Sequence, residues 1–361
     1  MRRRPTVVLG ASGLVGQRMQ QRLYNHPWFE LKAIGGKKES AGFTLEHFSW
    51  RLDDTRPPLP SLPVFDISSD SFVKDLLELE IEVAFSCLPS DPAGRIESVL
   101  AQAGIAVFSN ASFNRGKEGI PLVIPDINDE HFAAFSTTEG PIACGTNCTL
   151  VPMAVPLAAL RKFGICTVRM RSEQALSGAG WELLFDEDAN NGVLDTVIPG
   201  EAEKVAEELL HVFGTRNGTT VEPAEIGLDI KCQRVARRDG HQVFVEATFT
   251  QPLSLESVLQ AFTLHQFPET VTRCPSAPEH PLHVVEHIDV ELHLWSDGNV
   301  FSIQPRPSED LQTGMSIVVG DVKIIDEFTL SYSAYSHNTI RGAAGGTMLL
   351  AEQAIVEGRI P

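Results

Sequence analysis

Apolar and polar positions along the chain fall into two textures. Up to about residue 160, short apolar, β-branched runs are each followed by a stretch with helical spacing. Thr6-Val7-Val8-Leu9 reads as a strand, Gln17 to His26 as a helix and Phe29 to Ile34 as the next strand. Val83 to Pro89 then reads as strand, Asp91 to Gly104 as helix and Ile105 to Asn110 as strand. Pro141-Ile142-Ala143-Cys144 suits a buried strand. The Ala- and Leu-rich run after Cys148, as far as Lys162, suits a helix whose first turn tolerates Pro152, with Pro156 a point of kinking. Repeated strand–helix units imply a parallel sheet covered on both faces. The Pro-rich residues Asp54 to Pro63 read as a loop.

Beyond this helix the runs lengthen and become β-rich: Thr167 to Ser177, Ile230 to Val235, Gln242 to Thr250, Ile288 to Trp295, Met315 to Lys323 and Phe328 to Ser336. They predict one large mixed or antiparallel sheet, with Glu201 to Phe213 and Leu255 to Leu264 as its covering helices. A sheet face without helices must be buried elsewhere, so a subunit interface is expected. A last helix, Thr339 to Glu357, carries the small residues Gly342 to Gly346, which predict close packing on the first domain. The chain shows no internal repeat.

Length and charge narrow the picture. A chain of 361 residues implies two or three domains. The formal net charge of -18 argues against nucleic acid or an anionic membrane as partner, so any phosphate site must be a local pocket. The apolar run after Met1-Arg2-Arg3-Arg4 is too short for a signal peptide, and no stretch is long and apolar enough to span a bilayer. Cysteines 87, 144, 148, 166, 232 and 274 show neither CxxC pairing nor disulfide spacing, which predicts a reducing, cytoplasmic setting and no thiolate metal site. The HxxEH pattern at His283 to His287 lies in strand-like sequence that would hold the two imidazoles about 13 Å apart, so no metal is expected there. Asp186-Glu187-Asp188 reads as a charged loop.

Candidate chemistry gathers at Gly145-Thr146-Asn147-Cys148-Thr149-Leu150, where a strand delivers a cysteine to the start of a helix. Unpaired N–H groups and the helix dipole favour a thiolate there, which predicts a depressed pKa. By local sequence alone the same residue reads equally as a small buried hydrophobe. Gly10-Ala11-Ser12-Gly13-Leu14-Val15-Gly16, after the first strand and before a helix, has the form of a turn that admits a pyrophosphate. Lys37, Lys38 and Ser40 after the second strand suit a 2′-phosphate, with Glu39 opposing that reading and a solvated loop as the alternative.

In this order and separation, GASGLVGQ (10–17), FSCLPSD (85–91), SNASFNR (109–115), NCT (147–149), EQALSGAG (173–180), IPGEAEK (198–204), RVARRDGH (234–241) and HNTIRGAAGG (337–346) make the chain resemble the aspartate-β-semialdehyde dehydrogenase family, in its archaeal and fungal branch. The resemblance implies an α/β fold: an N-terminal Rossmann-type parallel-sheet domain (1–147 and 338–361) and a second α+β domain with a large mixed sheet (148–337) for catalysis and dimerisation. It implies NADPH-dependent reduction of β-aspartyl phosphate to aspartate β-semialdehyde and phosphate through a cysteine thioester, in a homodimer or homotetramer. Cys148 matches the nucleophile, His241 the acid/base and Gln174 the residue orienting the acyl group. Arg234 matches the partner of the substrate α-carboxylate, Glu201 that of its ammonium, and Arg115 and Lys204 the phosphate pair, with Asn114 beside them. NADP(H) would meet Gly10, Ala11, Ser12, Gly13, Leu14, Val15, Lys37, Lys38, Ser40, Ser86, Leu88, Pro89, Gly178 and Asn338.

Some positions depart from the family pattern. Thr146-Asn147-Cys148-Thr149 replaces Pro-Asn-Cys-Ser, Trp181-Glu182 stands where Tyr-Pro is common, and Phe113-Asn114 replaces Asn-Tyr. Arg237 and Arg238 add two charges near Arg234 that would suit the phosphates of an acyl-CoA, so a malonyl-CoA-type reductase is the alternative, and Glu201 speaks against it because a malonyl group has no ammonium. A nucleotide-binding paralogue without catalysis is the third reading.

Overall fold

A computed structural model describes residues 2–135 and 140–360. Met1 and Pro361, the outer limits of the expected first domain, lie outside the described residues. Six parallel strands form the first sheet: β1 (Arg4–Leu9), β2 (Phe29–Gly36), β3 (Val64–Asp66), β4 (Val83–Ser86), β5 (Ala106–Ser109) and β6 (Ile142–Cys144), in the order β3-β2-β1-β4-β5-β6. The order reverses between β1 and β4, where Leu9 lies opposite Ser86, and this opens a crevice at their carboxyl ends. Helices α1 (Leu14–Leu23), α2 (Phe72–Glu78) and α3 (Ser90–Gln102) link the strands. Cores on either side of the sheet consist of the alternate strand residues: Val7, Leu9, Ala84 and Val107 on one face, Val8, Phe85, Ala106 and Phe108 on the other.

From β6 the chain enters α4 (Leu150–Ala159), which contains both Pro152 and Pro156, and a separate 3₁₀ turn at Arg161–Phe163 follows where a continuous helix to Lys162 is expected. The second sheet has the order β10-β7-β11-β14-β13-β12, from β7 (Ile165–Gln174), β10 (Gly227–Arg234), β11 (His241–Phe249), β12 (Leu282–Val284), β13 (Ile317–Asp326) and β14 (Thr329–Ser336). It is mixed, with β10/β7 and β12/β13 parallel and the other pairs antiparallel. Short helices α5 (Trp181–Leu184) and α6 (Glu187–Asn190) precede α7 (Glu201–Val212), and a hairpin of β8 (Thr215–Asn217) and β9 (Thr220–Glu222) follows it. Next come α8 (Leu255–Thr263) and α9 (Glu269–Thr272). One face of the sheet packs Val168, Met170, Val243, Val245, Leu330 and Tyr332 against α4, α7 and α8. The other carries Arg169, Arg171, Lys231, Phe244, Glu246 and Ser331, and among the described residues no helix packs over it.

Asp186-Glu187-Asp188, read as a charged loop, instead opens α6, with Asp186 as its cap, and other sequence expectations change as well. Ile288 to Trp295 is not a strand: the Asp289 carboxylate accepts the N–H groups of Glu291 and Leu292, turning the chain where β-branched residues predicted extension. Leu282–Val284 pairs with β13 instead. The last helix divides into a π-helical turn at Ile340–Ala344 and α10 (Gly345–Val356), which packs on β5 and α1 of the first sheet. Among the described residues no helix is long and apolar enough to cross a membrane.

Candidate active site

The glycine turn after β1 leaves no room for a side chain at Gly10 or Gly16. Gly10 has φ +74°, and a Cβ there would stand 2.6 Å from the Cys87 carbonyl oxygen, while one on Gly16 would run into the Gly10 carbonyl. The backbone therefore passes close to the start of α1 at the crevice between β1 and β4, as a pyrophosphate requires. From this turn a cavity of about 320 Å³ extends between the two sheets, reaching from Val15 and Leu88 to Cys148 and Asn338. Of the residues singled out by sequence it gathers Val15, Leu88, Arg115, Cys148, Gly178, Glu201, Lys204 and Asn338 on one wall or another.

Cys148 precedes the first turn of α4. The Asn147 side-chain oxygen accepts the Thr149 N–H at 2.7 Å, closing a turn around Cys148 just before the helix, and the π-helical turn lies so close that a Cβ on Gly342 would stand 2.8 Å from that of Cys148. Where a depressed thiol pKa was expected, burial, then the Glu201 carboxylate, push it up to about 11, against the opposing pull of Arg115 and Arg234.

Helix α7 supplies Glu201, Lys204 and Glu208, spaced along a single face. Glu201 accepts the Asn147 side-chain N–H at 2.9 Å. Glu208, which the sequence reading missed, binds Arg115 Nη1 at 2.9 Å with one oxygen and the Asn147 backbone N–H at 2.6 Å with the other. Arg115 also donates to the Asn110 carbonyl at 2.8 Å, and its buried Nε has no protein partner.

His241 and Arg234 stand behind Gly178 rather than open to the cavity. A Cβ on Gly178 would lie 2.9 Å from His241 Cε1 and 3.0 Å from Arg234 Nη1. Ala175 holds both: its N–H donates to His241 Nδ1 at 3.1 Å, and its carbonyl accepts from Arg234 at 2.8 Å. With Nδ1 an acceptor, the neutral ring carries its proton on Nε2, which has no protein partner. Burial, then the charges of Arg234 and Arg237, lower the imidazole pKa to about 3. Asn338 bridges these parts, accepting the Gly240 N–H at 2.8 Å and donating to Ser177 at 2.9 Å, so its amide is engaged within the protein where NADP(H) was expected to meet it.

Other candidates lie elsewhere. Asn114 does not line the cavity: it is buried, donates to Glu97 at 2.7 Å and accepts from Lys117. Gln174, at the end of β7, is buried and donates to Ser172 at 3.3 Å. Lys37, Lys38 and Ser40 form a turn just beyond β2, with both lysines exposed. Ser86 is buried at the end of β4 beside Leu88 and Pro89, the latter opening α3. Ala11 and Ser12 offer their carbonyls to Gln20 and Arg51, and Gly13 precedes the first residue of α1, Leu14. Arg237 and Arg238 are turned from the cavity: Arg237 donates to the Gly240 and Glu173 carbonyls, and Arg238 pairs with Asp53 at 2.6 Å. Trp181 lies under the Arg51 guanidinium at 4.1 Å. His283 bonds Ser296 and His287 bonds Asp321, on separate partners.

A family model described as the NAD binding domain of semialdehyde dehydrogenase matches residues 6–135. The chain is similar to the aspartate-semialdehyde dehydrogenase of Archaeoglobus fulgidus, at 36% identity over 97% of this chain and 97% of the relative. It is also similar to that of Aspergillus fumigatus, at 35% identity over 98% of this chain and 97% of the relative. Among solved structures it is similar to the crystal structure of aspartate semialdehyde dehydrogenase with NADP from Candida albicans, with a TM-score of 0.81 and 30% identity over 99% of this chain and 100% of that one.

Proposed function

The chain belongs to the aspartate-semialdehyde dehydrogenase family, and from that premise we propose that it reduces β-aspartyl phosphate to aspartate β-semialdehyde and phosphate with NADPH, through a thioester on Cys148. The observation that carries this reading is one cavity holding a thiol, two cations and a carboxylate, the set that an acyl phosphate bearing an ammonium requires. The Gly10 turn, where a Cβ would meet the Cys87 carbonyl, fits a dinucleotide pyrophosphate, and Gly10 to Val15, Leu88 and Pro89 are the residues that would hold it. Lys37, Lys38 and Ser40 would favour the 2′-phosphate. When bound, NADPH supplies the hydride.

Arg115 and Lys204 hold the acyl phosphate while the Cys148 sulfur attacks the carbonyl carbon; the C–O bond breaks, and the departing phosphate leaves with the thiol proton. Glu201 receives the substrate ammonium. That pairing neutralises the carboxylate that raises the Cys148 pKa, so the substrate itself assists formation of the thiolate. Arg234, which lies just past the bare Cα of Gly178, would receive the α-carboxylate across that glycine, as His241 would meet the acyl oxygen, and Gln174, turning from Ser172, orients the acyl group. His241, neutral and protonated on Nε2, donates a hydrogen bond to the oxygen of the thiohemiacetal. Breaking the C–S bond then releases the aldehyde. Asn338 keeps this wall in place from Ser177 to Gly240.

Residues 1–147 and 338–361 form the cofactor domain in this reading, and 148–337 the catalytic and dimerisation domain. The helix-free face of the second sheet, laced by Arg169–Glu246 at 2.8 Å and Arg171–Glu173 at 2.7 Å, is the surface on which a homodimer forms. A cytoplasmic setting accords with six free cysteines. The acyl-CoA alternative loses its motive, since Arg237 and Arg238 face the protein instead of the cavity. The test is NADP reduction by aspartate semialdehyde with and without phosphate. Phosphate-saturable turnover supports the reading, and its absence from folded protein overturns it.

A further inference from the structure

Glu208 is nine-tenths buried, and both of its oxygens are committed to groups on which the reaction depends. Oε1 takes Arg115 Nη1 at 2.9 Å, and Oε2 takes the N–H of Asn147, the residue before the nucleophile, at 2.6 Å. Arg115 has one other protein acceptor, the Asn110 carbonyl, which leaves its Nε for an incoming anion. Two turns earlier on α7, Glu201 grips the side chain of the same asparagine at 2.9 Å. Asn147 is thus held by two carboxylates of one helix, one on its amide side chain and one on its main chain.

We propose that Glu208 is a positioning residue that fixes the phosphate-binding guanidinium of Arg115 and the Cys148 loop against each other through a single carboxylate. This inference rests on the reaction proposed above, in which Arg115 meets phosphate. Two acceptor oxygens are needed, because each faces a donor. A glutamine of the same shape supplies one acceptor and turns its NH₂ toward a second donor, so Glu208→Gln breaks one of the two contacts with little change in volume. An aspartate keeps both acceptors on a shorter stem.

In the phosphorylating direction, Glu208→Gln raises the KM for phosphate about tenfold, as expected for loss of one charge-assisted hydrogen bond, while the KM values for NADP and semialdehyde stay within about twofold. Glu208→Asp recovers part of the loss. In an Arg115→Ala background, Glu208→Gln adds nothing further to the phosphate KM, because it acts through the group already removed. Equal rises in all three KM values, an unchanged phosphate KM, or independent effects of the two substitutions overturn the proposal. If Glu208→Gln melts below the assay temperature, the comparison of Glu208→Asp with and without Arg115→Ala decides it by the same criterion. Wild-type protein separates the two claims: without phosphate-dependent turnover the reaction is wrong, whereas a phosphate-saturable wild type with a phosphate-indifferent Glu208→Gln refutes only the role of Glu208.

Discussion

Gly178 is the position at which one methyl group does most damage. Its φ lies outside the left-handed region, so an alanine there carries no backbone strain, only contacts: 2.9 Å to His241 Cε1 and 3.0 Å to both His241 Nε2 and Arg234 Nη1. Ordinary separation is about 3.5 Å, so the two side chains must retreat by about 0.5 Å. Neither retreats freely, because the N–H and carbonyl of Ala175 hold them at 3.1 and 2.8 Å, and that carbonyl also accepts the Gly178 N–H. Overpacking of this kind costs about 1–3 kcal/mol of stability. A misplacement of about 1 Å costs about a hundredfold in rate, so half of it predicts a fall of about tenfold in kcat from His241, with a rise in the semialdehyde KM from Arg234. Steady-state kinetics on Gly178→Ala, with a thermal melt to show that it is folded, measures both. If kcat and KM each stay within about twofold of wild type, His241 and Arg234 do not touch the substrate from behind this glycine.

Lys204→Ala mainly raises the apparent KM for phosphate; phosphate dependence left untouched would place the anion pocket elsewhere. Arg238→Ala leaves the KM of every substrate unchanged, since its guanidinium pairs with Asp53 rather than facing the cavity, and a marked rise in one of them would restore it to the substrate site. Acidification tests the buried imidazoles. His241 and His337 have folded pKa values lowered by burial first, and the unfolded chain therefore binds more protons below about pH 6.5. Their contribution to stability is complete above that value and is lost as pH falls, for His241 toward its folded pKa of about 3, so the melting temperature should drop from pH 6.5 to 4, and a flat profile would show these rings to be accessible.

The first sheet was legible because a doubly wound fold writes itself locally: apolar strands, a glycine turn and amphipathic helices recur in order from Thr6 to Cys144. The short strand Val64–Asp66 and the hairpin at Thr215–Asn217 and Thr220–Glu222 escaped, since three-residue strands carry no period. Ile288 to Trp295 misled because one side-chain acceptor, Asp289, outweighs β-branched neighbours. Resemblance brought Cys148, Arg115, Glu201 and Lys204 to one cavity, yet Asn114 took Glu97 as its partner, a contact across elements that no spacing announces. Glu208 shows the same limit: its place on α7 with Glu201 and Lys204 follows from helical spacing, but its hold on Arg115, 93 residues away, does not. The Cys148 pKa departs from expectation because burial, and Glu201 brought in from α7, act through the tertiary fold and not through local sequence.

The account turns on a covalent bond to one sulfur atom. Protein mixed with NADP and aspartate semialdehyde in the absence of phosphate, quenched in acid and digested, should show the peptide containing Cys148 heavier by one aspartyl group, and Cys148→Ala should show no adduct while still binding NADPH. An adduct on another cysteine, or turnover that survives in Cys148→Ala, would contradict it.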